Sequence, residues 1–194
     1  MDAQMERPAT LESDRLNLVA LLPADIEALI ARDIERARTL TGVSFPQGWP
    51  NDHEARDGLP WHLRALQADQ RQASWRIRVI VERSSKSVIG SINLKGPPNA
   101  DGDVEIGWGL VESCRNRGYA LEAAATVLAW VVRQPGVSSV SATVPDDNLR
   151  SQRLATKLGL VRTGETRRDL PLWRTAFGSR RQPERRADRD VTAS

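Results

Sequence analysis

Residues 114–130 read CRNRGYALEAAATVLAW: a short basic turn with one glycine that runs straight into an apolar helix. Arg115-Asn116-Arg117-Gly118-Tyr119-Ala120 is too polar for a core, yet it stands between two well-patterned segments. A helix N-terminus presents unpaired N–H groups and the positive end of a dipole, so an entry of this kind is suited to holding an anion. The helix that follows repeats Leu121, Ala124, Ala125, Leu128, Val131 and Val132 as one apolar stripe and stops at Pro135-Gly136.

The segments on either side of this stretch fall into regular elements. Residues 75–82 (WRIRVIVE), 87–94 (SVIGSINL) and 103–110 (DVEIGWGL) have strand patterning and short connections, which predicts an antiparallel meander. Upstream, residues 15–21 (RLNLVAL) read as a strand. Pro23-Ala24-Asp25 then opens one helix in which Ile26, Leu29, Ile30 and Ile34 keep helical spacing. Residues 45–52 (FPQGWPND) form a turn-rich loop, and a second amphipathic helix carries Trp61, Leu63 and Leu66. Downstream, residues 137–144 read as a strand and 148–159 as a short helix. Leu154 and Leu158 line one side of that helix and Gly159 stands at its C-cap, ahead of two final strands. The order predicts an α/β (α+β) domain, a mixed sheet with its helices at the crossovers.

Composition narrows the class. A chain of 194 residues, 40% hydrophobic and 27% charged, supports one domain with a real core. No apolar run reaches the roughly 18 residues of a membrane span, and the first residues lack the pattern of a signal peptide. The single cysteine, Cys114, excludes an internal disulfide. The two histidines, His53 and His62, are not spaced as a metal pair, so no metal is expected. The net charge is only +3, and residues 179–190 (SRRQPERRADRD) hold five arginines against three acids. The excess therefore sits in a segment without apolar periodicity that reads as a disordered tail, and nucleic acid is not an expected partner. These features describe a cytoplasmic protein that needs no membrane.

Two features stand at a telling separation. Val104-Glu105-Ile106-Gly107-Trp108 leads through Leu110-Val111 into Arg115-x-x-Gly118-x-Ala120 and the long helix. One strand later come Asn148-x-x-Ser151 and Lys157-Leu158-Gly159-Leu160. In this order they resemble the GNAT superfamily of acyl-CoA-dependent N-acetyltransferases. Residues 13–29 (SDRLNLVALLPADIEAL) resemble the opening of its branch of ribosomal-protein N-terminal acetyltransferases, the RimJ/RimL type. The resemblance covers residues 10 to 175. It implies a mostly antiparallel central sheet flanked by helices, with acetyl-CoA as co-substrate. On this reading residues 1–10 are an extension, 11–177 the acetyltransferase domain and 178–194 the Arg-rich tail.

The resemblance also assigns roles. The backbone of Arg115, Asn116, Arg117, Gly118, Tyr119 and Ala120 would hold the coenzyme's pyrophosphate, since a glycine turn exposes successive N–H groups. Leu110 and Val111 would pair strand-like with the pantetheine arm, with Asn148 and Lys157 as further contacts. Asn148 reads equally as an N-cap and Lys157 as a surface lysine. Trp49, Trp61 and His62 are candidates for a substrate-facing wall, although core packing for the tryptophans and a solvent-facing position for the histidine are the plainer readings.

Acyl transfer to an amine calls for a base, because amines are mostly protonated at neutral pH. Glu105, a carboxylate mid-strand, matches a position from which family members recruit one; a solvent-facing strand residue is the alternative. A backbone N–H around Trp108 to Leu110 would polarise the thioester carbonyl. Many family members carry a tyrosine general acid where this chain has Ala155, and its one tyrosine, Tyr119, lies in the basic turn. Ser151, one helical turn before Ala155, is the candidate to hydrogen-bond the departing sulfur. The acceptor is a peptide N-terminus or a small-molecule amine, and a homodimer is an expectation from relatives. A non-catalytic CoA-binding sensor, or use of a longer acyl-CoA such as succinyl-CoA, are the competing readings.

Overall fold

The computed structural model describes residues 6–176; the Arg-rich segment from 178 onward lies outside the described residues. Eight strands form one sheet: β1 (Leu11–Glu12), β2 (Leu16–Ala20), β3 (Ile77–Glu82), β4 (Ser87–Leu94), β5 (Asp103–Leu110), β6 (Ser139–Thr143), β7 (Val161–Arg167) and β8 (Leu170–Ala176). They lie in the order β1-β2-β3-β4-β5-β6-β8-β7. Every neighbouring pair is antiparallel except β5 with β6. The mixed, mostly antiparallel sheet flanked by helices is the architecture that the sequence predicts.

Both faces of the sheet are covered. On one side α1 (Pro23–Ile30), α2 (Ile34–Thr41) and α3 (Leu59–Ala68) bury Ile26, Leu29, Leu59 and Leu66 against Val19, Val79 and Val88. On the other, α4 (Tyr119–Val131) lies over Leu16, Leu18, Ile80, Ile92, Val104 and Val140. Strand β3 accordingly has five of its six residues buried, Arg78 among them, whose guanidinium donates to the Ala9 and Leu18 carbonyls.

Two expectations are corrected here. The single helix read from Pro23 onward is two helices, because Arg32 takes a positive φ of 59°. Asp33 then caps a new start by accepting the Arg36 N–H at 3.0 Å. The stripe expected on α4 is rotated: Tyr119, Ala123, Ala124, Val127 and Val131 are buried, while Ala125 and Val132 are exposed. That helix is apolar almost all round, so periodicity alone could not choose its inward face; the alanines let it sit close to the sheet.

A buried ion cluster fastens the parallel junction. Asp103 on β5 is 5% exposed and accepts from Ser139 and Ser141 on β6, at 2.8 and 2.6 Å, and from Arg167 on β7 at 3.0 Å. Burial works against its charge, but the two hydroxyls and the Arg167 guanidinium together hold its carboxyl below the usual range. A carboxyl whose pKa is lowered by folding stabilises the native state fully above its unfolded pKa and loses that contribution as pH falls through the folded one. Asp103→Asn should therefore lower unfolding free energy by on the order of 3 kcal/mol at pH 7. Urea titrations should show the gap between wild type and variant holding down to about pH 5 and closing below about pH 4.

Candidate active site

The parallel pairing of β5 with β6 runs only from Asp103↔Ser139 to Glu105↔Ser141. Beyond it β6 continues along β8 and β5 continues along β4, so the two strands diverge and the sheet opens. Val111 N–H donates to Ile89 and Glu105 C=O accepts from Lys95, so the odd-numbered residues of β5 turn their backbone groups toward β4. By alternation, the N–H and C=O of Trp108 and Leu110 face the opening. Arg115 Nε binds the Leu110 carbonyl at 3.2 Å.

Two lobes meet at this opening. The larger, about 810 Å³, runs from the splayed end of β5 to the start of α4 and the face of α5 (Leu149–Lys157). The smaller, about 400 Å³, lies over β4 and β5 on the α3 side. Asn51, Glu54, Trp108, Gly109, Asn148 and Ser151 border both.

The basic turn supplies one end of the larger lobe. Asn116 and Gly118 both take positive φ, 63° and 81°, and Gly118 stands at the N-terminus of α4. Both residues line the larger lobe, at the positive end of the α4 dipole. Leu110, Val111, Arg115, Asn116, Gly118, Tyr119, Ala120, Asn148 and Lys157 all line this lobe. Arg117 does not; its carbonyl accepts from Arg15 at 3.1 Å. Arg150 and Arg153, not singled out from sequence, stand beside Lys157 on the same wall, where α5 turns a basic face to the lobe. Trp49 also lines it, 5% exposed, stacked on Phe45 at 5.4 Å, with its indole N–H buried and unpartnered.

Asn148 caps α5, accepting the Ser151 N–H at 3.1 Å. The Ser151 hydroxyl accepts from the Trp108 indole N–H at 3.3 Å, which leaves its own proton to donate into the cleft. Ala155 is fully buried and offers nothing to a leaving group. The Tyr119 hydroxyl donates to Glu82, and that hydrogen bond holds the phenol above its usual pKa, directed away from the opening.

Glu105 sits differently from the sequence expectation of a free base. It is 7% exposed, and its carboxylate is bound by Arg167 at 3.0 Å, by Arg168, and by the Thr143 hydroxyl at 3.2 Å. A carboxylate held by two guanidiniums and a hydroxyl has its lone pairs engaged by the protein itself. Trp61 is also corrected: it lines neither lobe, is 38% exposed, and its ring carries the Arg76 guanidinium and the Lys95 ammonium at 5.0 and 5.2 Å. His62, expected at the surface on the plainer reading, is 2% exposed and lines the smaller lobe. Burial, reinforced by Lys95 and Arg76, pushes its imidazole down to about 3, so it is neutral at pH 7.

The carboxylate that sequence reading missed is Glu54. It lies on the π-helical turn Glu54–Gly58 at the meeting of the two lobes. Ser91 Oγ donates to its Oε1 at 2.8 Å and the Asn51 N–H to its Oε2 at 3.3 Å. Asn51 in turn accepts the Glu54 N–H at 2.9 Å. Among the described residues no Lys or Arg pairs with it. The signal was present: Asn51-x-x-Glu54 is the pattern of a reciprocal helix cap just before an apolar helix. Its Oε1 lies 4.0 Å from where a Cβ on Gly109 would stand, at the mouth of the opening.

Residues 15–161 match the family model of the acetyltransferase (GNAT) domain. The chain is similar to the Bacillus subtilis N-acetyltransferase YjdG, 28% identical over 151 residues that span 78% of this chain and 89% of the relative. Its fold is shared with the ribosomal-protein-S5-alanine acetyltransferase of Vibrio fischeri (TM-score 0.62, 14% identity, 87% of this chain and 96% of the other). It is shared too with the microcin C7 self-immunity acetyltransferase MccE solved with acetyl-CoA and AMP (TM-score 0.58, 12% identity, 85% and 94%). With a family match over most of its length joined to the splayed sheet and the glycine turn, the chain belongs to the GNAT acetyltransferase family and is an acetyltransferase.

Proposed function

We propose that the protein transfers the acetyl group of acetyl-CoA to a primary amine by direct attack, with both substrates bound at once. The observation that carries this reading is the meeting of two lobes at the splayed end of β5. One lobe ends at the positive end of the α4 dipole, and the other opens onto an unpaired carboxylate. The turn from Arg115 to Ala120 would hold the pyrophosphate, while the Trp108 backbone and the Leu110 N–H offer the strand edge to the amide-rich arm; the Val111 N–H and C=O are taken by Ile89 and Cys114 and the Leu110 carbonyl by Arg115. The Trp49 indole N–H is a further buried donor waiting for an acceptor in the same lobe.

Glu54 serves as the base in this proposal. It takes a proton from the amine nitrogen as that nitrogen bonds to the thioester carbon, and Ser91 and the Asn51 N–H orient its carboxylate. The Trp108 N–H, facing the opening, steadies the carbonyl oxygen as charge collects there. Ser151 hydrogen-bonds the sulfur as the C–S bond breaks, and the thiolate takes up the proton that Glu54 releases through solvent, so the products are an amide and free thiol. A thiol pKa near 8.5 makes this departure feasible without a tyrosine. Acetyl-CoA and a peptide N-terminus or small amine are thus the partners of the reaction, and Ala155 does not force a silent sensor.

Thiol release from acetyl-CoA, followed against a panel of peptides and small amines, tests the reading. Wild type should turn over at least one acceptor class. Glu54→Gln should lower kcat by about 10² to 10³ with acetyl-CoA affinity retained. Glu105→Gln should instead lower the melting temperature, since it leaves Arg167 and Arg168 short of a partner. No thermal shift on adding acetyl-CoA would refute the cofactor assignment.

A further inference from the structure

The floor of the smaller lobe is a ladder between β4 and β5. Ser91 lies opposite Gly109, Asn93 opposite Gly107, and Lys95, just past the strand end, donates its N–H to Glu105. Ser91, Asn93 and Lys95 alternate onto one face. The two glycines remove side chains from the middle of that floor, and the Asn93 amide lies 3.1 Å from where a Gly107 Cβ would be. The near end of this ladder carries Ser91 and Glu54, where the reaction is placed above. The far end, four residues along β4 and so about 13 Å away, carries Lys95.

That far end is electropositive. Two carboxylates stand there, Asp103 and Glu105, both buried and both already bound by guanidinium groups. Against them stand Arg167, Arg168, Arg174, Arg76 and Lys95. Arg167 and Arg168 are committed to Glu105, Arg174 lies 3.7 Å from Asp103, and Arg76 binds the Lys95 carbonyl and Gln72. Arg168 is held there at a positive φ of 51°, on the two-residue turn between β7 and β8. Lys95 lines the lobe, is exposed, and forms no ion pair with a carboxylate among the described residues; its ammonium lies 5.2 Å from the Trp61 ring and feels the attraction of the already paired Glu105. Two side chains that line the same lobe each carry a buried polar atom without a partner, His62 at Nδ1 and Asn93 at Oδ1. Unsatisfied buried polar atoms are costly, and a cluster of them beside an unpaired cation is what a polar ligand would satisfy.

We propose that the acceptor is an amine carrying an anionic group, a carboxylate or a phosphate, set back from the nitrogen along its chain. Lys95 binds the anion, His62 and Asn93 bind polar groups of the intervening chain, and the amine reaches Glu54. The neutral imidazole of His62 can accept at one nitrogen and donate from the other, while Asn93 Oδ1 accepts an N–H. A polycationic acceptor would meet Lys95 as a like charge and is disfavoured. This inference rests on the acetyltransferase reading above and names its substrate class.

The test is a series of ω-aminocarboxylates of increasing length, each paired with its neutral amide, and the matching ω-aminoalkyl phosphates. Acid should exceed amide in kcat/KM by about tenfold or more at an intermediate length, mainly through KM. The shorter and longer members should lose that preference, and the phosphate arm reports which anion the site favours. In Lys95→Met the acid-to-amide ratio should collapse toward one, and in Lys95→Glu it should invert. Asn93→Leu should raise KM for both members of each pair, separating chain recognition from anion recognition. Equal rates for acid and amide, or a ratio unchanged in Lys95→Met, would overturn the inference while leaving the acetyltransferase standing. Should no member turn over, calorimetry of the acids on CoA-saturated protein decides: no heat overturns the inference. Failure of acetyl-CoA itself to bind would overturn both.

Discussion

The parallel pairing of β5 with β6 lasts three residue pairs, and the ion cluster beneath it decides where it ends. Asp103 and Glu105 project from β5 onto arginines carried by the β7–β8 hairpin, while Ser139 and Ser141 of β6 donate to the same Asp103. These contacts clamp β5, β6 and the hairpin together on one side of the junction only. Past Glu105, β5 keeps β4 as its sole neighbour and β6 keeps β8. The opening between them exposes backbone N–H and C=O groups that no strand satisfies. Such an edge inside a sheet is costly unless something pairs with it. The larger lobe, with its turn of positive-φ residues, lies at that edge, so the same feature that breaks the sheet makes room for a ligand that can complete it.

The two carboxylates in and near the cleft divide structural from chemical work by what surrounds them. Glu105 is enclosed, bound by two guanidiniums and a hydroxyl, and fixes the geometry of the junction. Glu54 is half-buried, oriented by a serine hydroxyl and one backbone N–H, and free of cations among the described residues. An acid–base group needs lone pairs that are aimed but not consumed; only Glu54 meets that condition. A carboxylate on a strand and one on an irregular turn look alike in a sequence, and the difference emerges from what the β7–β8 hairpin brings to the first of them.

Much of this architecture was legible because local patterns and tertiary contacts agree. Strand patterning and short connections placed the meander, two final strands were read where β7 and β8 stand, and Asn148 placed the start of α5. The failures have specific causes. Arg32 was hidden because helical spacing persists across a residue whose left-handed φ only tertiary context imposes. The inward face of α4 was misread because a helix apolar all round carries no directional signal. Trp61 was assigned to a wall by its chemistry, but its ring is occupied by Arg76 and Lys95 from strand ends distant in sequence. Glu54 escaped because a helix-capping pattern explains itself locally and gives no reason to look for chemistry.

The arginines at the far end of the smaller lobe illustrate how one requirement generates another. Holding β5 at the junction takes two buried acids, and buried acids need cations to offset their desolvation. The hairpin supplies these at the cost of a non-glycine turn at positive φ, at Arg168 and Asp169. With Arg167 and Arg168 bound to Glu105, Lys95 is left with the attraction of an already paired carboxylate and the face of Trp61, and the glycines opposite Ser91 and Asn93 add no side chain of either sign. The positive end of the lobe is therefore a by-product of the clamp that opens the sheet. Beside this positive end, His62 and Asn93 each carry a buried polar atom without a partner.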